Sequence, residues 1–355
     1  MFRSDLRHTL GVVARGEEEG GRKGGEIAPE GQVPKRGGVF VLLILGGESG
    51  LKPEGAESDM LCFKLDGRSR ERGDGSMHGS GMLMAETLAE RYHQTCERVA
   101  AAAIRSGRRP EDVILVAVTK HADPEDIRGL LELGHRDFGE NRVQQLVQRA
   151  AMVEEFLHRL RVHPKGQQDR VVRETAAKVV LNGQTPGSIP DSVRWHMIGH
   201  LQRNKARKVA QFCRLIHSVD SLRLAEEVQQ IALRCEEPVE VLVQVNCSFE
   251  DQKSGCPIAA ARPLAEQVDT MINVRVRGVM TMAAATDDPE NARSTFTRCR
   301  EVYDDIRSRG VGEGRFNILS MGMTSDFEVA IEEGANIVRV GTAIFGASQT
   351  EDTDS

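Results

Sequence analysis

The sequence lacks the cysteine spacings that build metal sites or disulfide frameworks. Its seven cysteines are scattered, odd in number, and contain no CxxC pair. Reduced thiols are the simpler reading, and they suit a cytoplasmic protein. Long apolar runs are also missing from the N-terminal part. The patch Val39–Leu45 has seven residues, too few to span a membrane, and it lies too far from Met1 for an ordinary signal peptide. There is no basic excess either. The net charge is −6, so nothing electrostatic points to nucleic acid. Tyrosine is scarce, with Tyr92 and Tyr303 the only two.

Glycine and charge are plentiful, above all before residue 83. Stretches such as Arg15 to Gly21 and Asp66 to Gly81 cannot bury enough apolar surface to offset the entropy of ordering them. Residues 1–82 are therefore expected to be a disordered extension, with organellar targeting left open. Met60, Met77, Met82 and Met84 are alternative start positions. Residues 83–348 are expected to form one folded domain and 349–355 a tail.

Within the domain, helical and strand patterns alternate. An amphipathic helix through Leu88, Tyr92, Val99 and Ala103 comes first. The run from Val113 to Thr119 then reads as a buried strand ending at Lys120. Asp123 and Pro124 open a helix that closes at Gly134. Further strands are expected at 136–138, 193–199, 214–219, 239–246, 274–282, 317–320 and 336–340, each followed by a helix or helical turn. Eight such units point to a closed (β/α)8 TIM barrel, with an open doubly wound sheet as the alternative. The opening helix can close the barrel bottom or pack beside it. The long connection 161–191 carries an apolar stripe from Val171 to Val180, which predicts an extra helix on the face opposite the strand C-termini.

Lys120 follows the C-terminal end of the first strand, where such folds place their chemistry. It is either a solvated charge or an amine that captures an aldehyde. Near the other end of the chain, Ser320–Glu328 reads as a strand end, a glycine turn and a helix start, with Ser325 and Glu328 at capping-box spacing. Gly341 and Thr342 end the eighth strand. Turns after strands seven and eight of a barrel suit a phosphate. Arg339, inside an apolar strand, needs a partner: a carboxylate such as Glu332 or Asp326, or a ligand phosphate or ring nitrogen. Asn141 reads as a helix cap or a site residue, and His196 as a satisfied core histidine or a site residue. Asn204, Lys205 and Arg207 form a basic face, and Lys253-Ser254-Gly255 a loop or lid. An amine facing a phosphate site fits pyridoxal 5′-phosphate (PLP) or a sugar phosphate handled by a Schiff-base aldolase.

Seven ordered blocks carry a resemblance. They are Ala117–Lys120, Phe138–Asn141, Trp195–Lys205, Lys253–Gly255, Arg277–Met280, Leu319–Met323 and Val338–Gly346. Together they resemble the pyridoxal phosphate homeostasis protein family, also called the proline synthase co-transcribed family. The resemblance implies a barrel like the N-terminal domain of alanine racemase, with PLP held covalently by Lys120 as an aldimine. It implies that Ser320, Met323, Thr324, Gly341 and Thr342 cradle the phosphate, that Arg339 lies at the ring nitrogen or phosphate, and that Asn141 and His196 line the site. It further implies a monomeric carrier that buffers PLP or delivers it to apo PLP-dependent enzymes in vitamin B6 homeostasis, with no catalytic residues. The alternative is a PLP-dependent amino-acid racemase, which needs a second proton carrier. Neither the extension nor the 161–191 insertion belongs to the family pattern.

Overall fold

The computed structural model describes residues 86–162, 179–185, 188–235, 238–250, 252 and 254–346. The expected extension, the tail, residues 171–178 of the expected extra helix and Lys253 lie outside the described residues, and Val179 and Val180 are not helical.

Eight parallel strands close into a barrel: β1 (Ile114–Val118), β2 (Asp137–Glu140), β3 (Arg194–Met197), β4 (Cys213–Val219), β5 (Val239–Asn246), β6 (Val274–Met280), β7 (Ile318–Ser320) and β8 (Ile337–Val340). Each strand pairs with its sequence neighbours. The ring closes where β8 meets β1, with Ile114 opposite Ile337 and Ala117 opposite Val340. The open-sheet alternative is thereby excluded. A two-residue strand, Cys256–Pro257, adds to the end of β5 and was not apparent from the sequence. The strands are short and rich in Val and Ile, as strands covered on both sides require.

Helices cover the outside: α1 (Leu88–Arg105), α2 (Pro124–Glu132), α3 (Val143–Val162), α4 (Ala206–Ala210), α5 (Leu222–Ala232), α6 (Ile258–Asp269), α7 (Arg293–Ser308), α8 (Phe327–Glu332) and α9 (Thr342–Phe345). Thr87 and Glu90 form a reciprocal capping box at the start of α1. The helix then lies beside the barrel. Arg91 Nε donates to Ile344 O at 2.8 Å, and Arg98 and Arg105 pair with Glu328 and Glu332 of α8. The apolar faces of these helices pack on the outward strand residues in one continuous core.

The barrel bottom is sealed by the described end of the long connection. Asn182 N donates to Val113 O at 3.1 Å, Thr185 N donates to Gly134 O at 2.8 Å, and Leu181 is buried. Gly183 has φ +89°, and a Cβ there would lie 2.1 Å from both Asp137 Oδ2 and Arg194 Nη2. Only glycine lets the backbone lie against that ion pair.

The bore is divided. One part is apolar, made of Val116, Leu215, Leu242, Met280 and Ile337 with Ile114, Ile318 and Met282 against them. The other is a buried polar chain running from Asp137 to Arg339, whose geometry follows below.

Candidate functional site

Lys120 sits in the turn after β1 and is exposed. The turn is fixed at both ends. Thr119 N donates to Gly139 O at 3.0 Å, and the Thr119 hydroxyl donates to the wholly buried Glu140. Arg149 of α3 pairs with the same carboxylate and donates from Nη2 to Ala122 O at 3.0 Å. Glu140 and Arg149 thus brace the residues on either side of Lys120, and the lysine itself projects free of both. Asn141 follows β2 and is also exposed. Its backbone packs so closely on Gly199 that a Cβ there would lie 2.2 Å from Asn141 O.

The second corner joins the turns after β7 and β8. Met323 N donates to Asp326 Oδ1 at 2.6 Å, and Phe327 N donates to Met323 O at 2.9 Å. Gly322 has φ +94°, and a Cβ there would stand 2.6 Å from Ala330 Cβ, so the turn can press onto α8 only with glycine. Gly341 N donates to Thr324 Oγ1 at 3.2 Å, which ties the two turns together. The N–H groups of Thr342 and Ala343 open α9 and have no intrahelical partner. Because β8 pairs with β1, this corner adjoins the Lys120 turn: a Cβ on Gly341 would lie 3.4 Å from Val118 O.

The capping box expected between Ser325 and Glu328 does not form. Asp326 is the N-cap, and its carboxylate takes Met323 N, three residues back and nearer in this tight turn. Glu328 turns outward to Arg98.

Arg339 is 3% exposed. It donates from Nη1 to Ser320 Oγ at 2.7 Å and from Nη2 to Thr281 O at 2.9 Å. Burial lowers its pKa to about 10, still a cation at neutral pH, and the charge of Asp326 opposes that shift. Glu332, the other partner considered from sequence, is committed to Arg105 and Arg293.

Ser320 and His196 both lie inside the bore. Ser320 Oγ contacts His217 Nδ1 at 3.0 Å, His217 Nε2 contacts His196 Nδ1 at 2.9 Å, and His196 Nε2 contacts Asp137 Oδ1 at 3.0 Å. Arg194 closes the chain, with Nε 2.8 Å and Nη2 2.5 Å from the two Asp137 oxygens. His196 therefore has both nitrogens engaged, as a satisfied core histidine does. The structure brings Lys120, Asn141, Met323, Thr324, Gly341 and Thr342 to the barrel mouth, and sets Ser320, Arg339 and His196 beneath it.

Sequence reasoning missed Asp137, Glu140, Arg149, Arg194 and His217. A signal existed for two of them: Glu140 lies inside the Phe138–Asn141 block, and His217 is a polar residue inside an apolar strand.

A further histidine affects stability. His135 is buried, bonded to Tyr92 Oη at 3.1 Å and, through Nε2, to Asp137 O at 2.8 Å. Burial is the main cause pushing its pKa down to about 4. Burial, then His196 and Arg339, push His217 the same way. Between about pH 6.5 and 4 the unfolded chain therefore binds protons that the folded chain refuses. Their contribution is complete above about pH 6.5 and is lost as pH falls toward 4. For His135 alone this amounts to on the order of 3 kcal/mol. The melting temperature should drop steeply from pH 7 to pH 4.5, and His135→Gln should flatten the slope. A level wild-type profile across this window would contradict the assignment.

The fold agrees with known proteins. The family model described as alanine racemase, N-terminal domain, matches residues 102–349. The chain is 34% identical over 261 residues to a pyridoxal phosphate homeostasis protein of Pseudomonas aeruginosa, covering 74% of this chain and 96% of that one. It is 32% identical to the protein of the same name in Aquifex aeolicus, covering 72% and 96%. Among solved structures, PipY of Synechococcus elongatus, described with PLP bound, is 30% identical with a TM-score of 0.54, covering 73% of this chain and all of that one.

Proposed function

Because this chain belongs to the pyridoxal phosphate homeostasis protein family, within the alanine racemase N-terminal domain fold, we propose that it holds PLP and serves PLP homeostasis as a carrier. The single observation that carries the reading is the juxtaposition at the mouth. An exposed lysine on a braced turn stands beside two joined turns with free N–H groups, above a buried guanidinium. When bound, PLP supplies an aldehyde that an amine captures as a Schiff base.

Each residue has a distinct part. Lys120 Nζ is the point of covalent attachment, and Glu140 and Arg149 hold its turn so that the amine is aimed without being paired. Asn141 flanks it. The Thr324 hydroxyl and the N–H groups of Thr324 and Thr342 bind the phosphate through neutral donors, while Met323 and Gly341, whose own N–H groups are held by Asp326 Oδ1 and Thr324 Oγ1, shape the two turns around it. Arg339 supplies the positive charge, braced by Ser320.

A carrier is favoured over a racemase by where the tyrosines sit. Tyr92 is buried in α1 against His135 and Gln184, and Tyr303 of α7 stacks on Phe316. Neither is placed to act as a second proton carrier across a cofactor at the mouth.

The test is transfer. PLP-loaded protein mixed with an apo PLP-dependent enzyme should restore that enzyme's activity at a rate set by the loaded protein's concentration. No restored activity, with measurable amino-acid racemisation by the loaded protein alone, would reverse the reading.

A further inference from the structure

With one proton on each ring, the polar chain in the bore has one proton order, set by its two ends. Arg339 can only donate, so Ser320 Oγ accepts at that contact. Asp137 can only accept, which places the His196 proton on Nε2 and leaves His196 Nδ1, and in turn His217 Nδ1, as acceptors, so the Ser320 proton goes to His217 Nδ1. His217 then keeps a proton on Nε2 and donates it to His196 Nδ1. The remaining His196 proton, on Nε2, goes to Asp137 Oδ1, which also accepts from Arg194. In this order all the bonds from Arg339 to Asp137 run one way. The charges balance at the far end, where Asp137 meets Arg194. At the near end the Arg339 cation remains, with Asp326 as the acidic influence on it. Two of its five N–H groups are used by Ser320 and Thr281.

We infer that His217, which is wholly buried beneath the mouth, is a positioning residue for the anion-binding corner. By taking the Ser320 proton it makes the Ser320 oxygen a fixed acceptor for Arg339. The guanidinium is then clamped between Ser320 and Thr281 O, with its remaining N–H groups left for a ligand oxygen or ring nitrogen. The inference rests on the PLP reading above and adds to it a device that sets how strongly the phosphorylated ligand is held.

The groups around His217 that bear on its proton are His196 of β3, Arg339 of β8, and, one contact further, Asp137 of β2, Arg194 of β3 and Asp326. The two nearest, His196 and Arg339, together with burial, hold the ring neutral.

Two measurements test this. The first needs no ligand. Nitrogen-15 NMR of His217 should show Nε2 protonated and Nδ1 bare from pH 8 to pH 5. An Nδ1–H form, or a doubly protonated ring in that range, would overturn the proton order. The second is PLP affinity by equilibrium dialysis. Ser320→Ala and His217→Leu should each weaken binding about tenfold, the worth of one charge-assisted hydrogen bond. The double variant should be no worse than either single one, because both act through the same contact. His217→Asn, whose side-chain oxygen falls near the place of Nδ1, should recover most of the loss, whereas His217→Gln should not. Additive losses, or equal behaviour of the Asn and Gln variants, would overturn the inference even if His217→Leu fails to fold. If the wild type binds no PLP, the parent reading fails by itself. Inorganic phosphate followed at the Arg339 guanidinium resonances then decides: a shift in the wild type that His217→Gln lacks supports the positioning role, and any other pattern removes it.

Discussion

Lys120→Ala should abolish the visible absorbance of PLP-loaded protein and the borohydride-stable label, while leaving the fold intact. The expectation follows from the unequal roles of Lys120 and its turn. The side chain is exposed and makes no hydrogen bond or ion pair among the described residues, so its removal should change stability by no more than about 0.5 kcal/mol. The turn is held by Thr119, Glu140, Arg149 and Ala122, none of which depends on the lysine. PLP should still associate through the phosphate corner, but without its covalent anchor. The thermal stabilisation that PLP gives the wild type, about 2.7 kcal/mol at a hundredfold excess over Kd, should then largely vanish at the same PLP concentration. Absorbance, borohydride trapping with peptide mapping, and melting curves with and without PLP measure the three consequences. A variant that keeps its colour, or a label found on another lysine, would refute the assignment of Lys120.

Asp137→Ala should have the opposite profile, damaging the fold before the ligand. The carboxylate is ionised: its hydrogen bonds and charge interactions with His196 and Arg194 outweigh the opposing effect of burial and lower its pKa. Removing it leaves the Arg194 guanidinium and the His196 N–H without their acceptor at the bottom of the barrel. Breaking one side of a buried pair costs about 3–5 kcal/mol. Arg194 is 27% exposed in its side chain and can recover some hydration, so the lower end of that range is expected. Asp137→Asn keeps an oxygen for His196 and should lose roughly half as much. Urea denaturation would show this as a lowered midpoint with an unchanged slope. A midpoint unaffected by Asp137→Ala would mean that the ion pair under Gly183 carries no stability.

These two residues also mark what could be read from the sequence. Lys120 was legible because a long apolar strand ends just before it, and that pattern depends on local alternation alone. The eight units were legible for the same reason, and β5 was placed to the residue. Asp137 was not legible. It stands at the start of a four-residue strand, where an acidic residue reads as part of a turn. Its burial comes from Gly183 and Leu181, more than 40 residues away and part of a connection expected to lie remote from the site. His217 stood out as a polar residue in an apolar strand, but its role was hidden, since its partners belong to β3 and β7. Ser325 illustrates the converse error: the sequence spacing fits a cap, but the helix starts after Asp326, whose side chain turns back to Met323 N and does not cap it. The phosphate corner could be anticipated from its glycines and threonines. That Ser320 lies inside the bore, bracing Arg339, depended on pairings that no local pattern carries.

The junction of β1 with β8 has a consequence for how the protein is made. Ile114 and Ile337 meet although more than 200 residues separate them along the chain. Such a contact is of very long range, and the ring cannot close until nearly the whole barrel has left the ribosome. Lys120 is synthesised early, whereas Arg339, Gly341 and Thr342 are among the last described residues to emerge. The corner proposed for the cofactor therefore comes into existence only at closure, and a ligand that bridges its two sides would favour the closed ring over every partly assembled form of the chain.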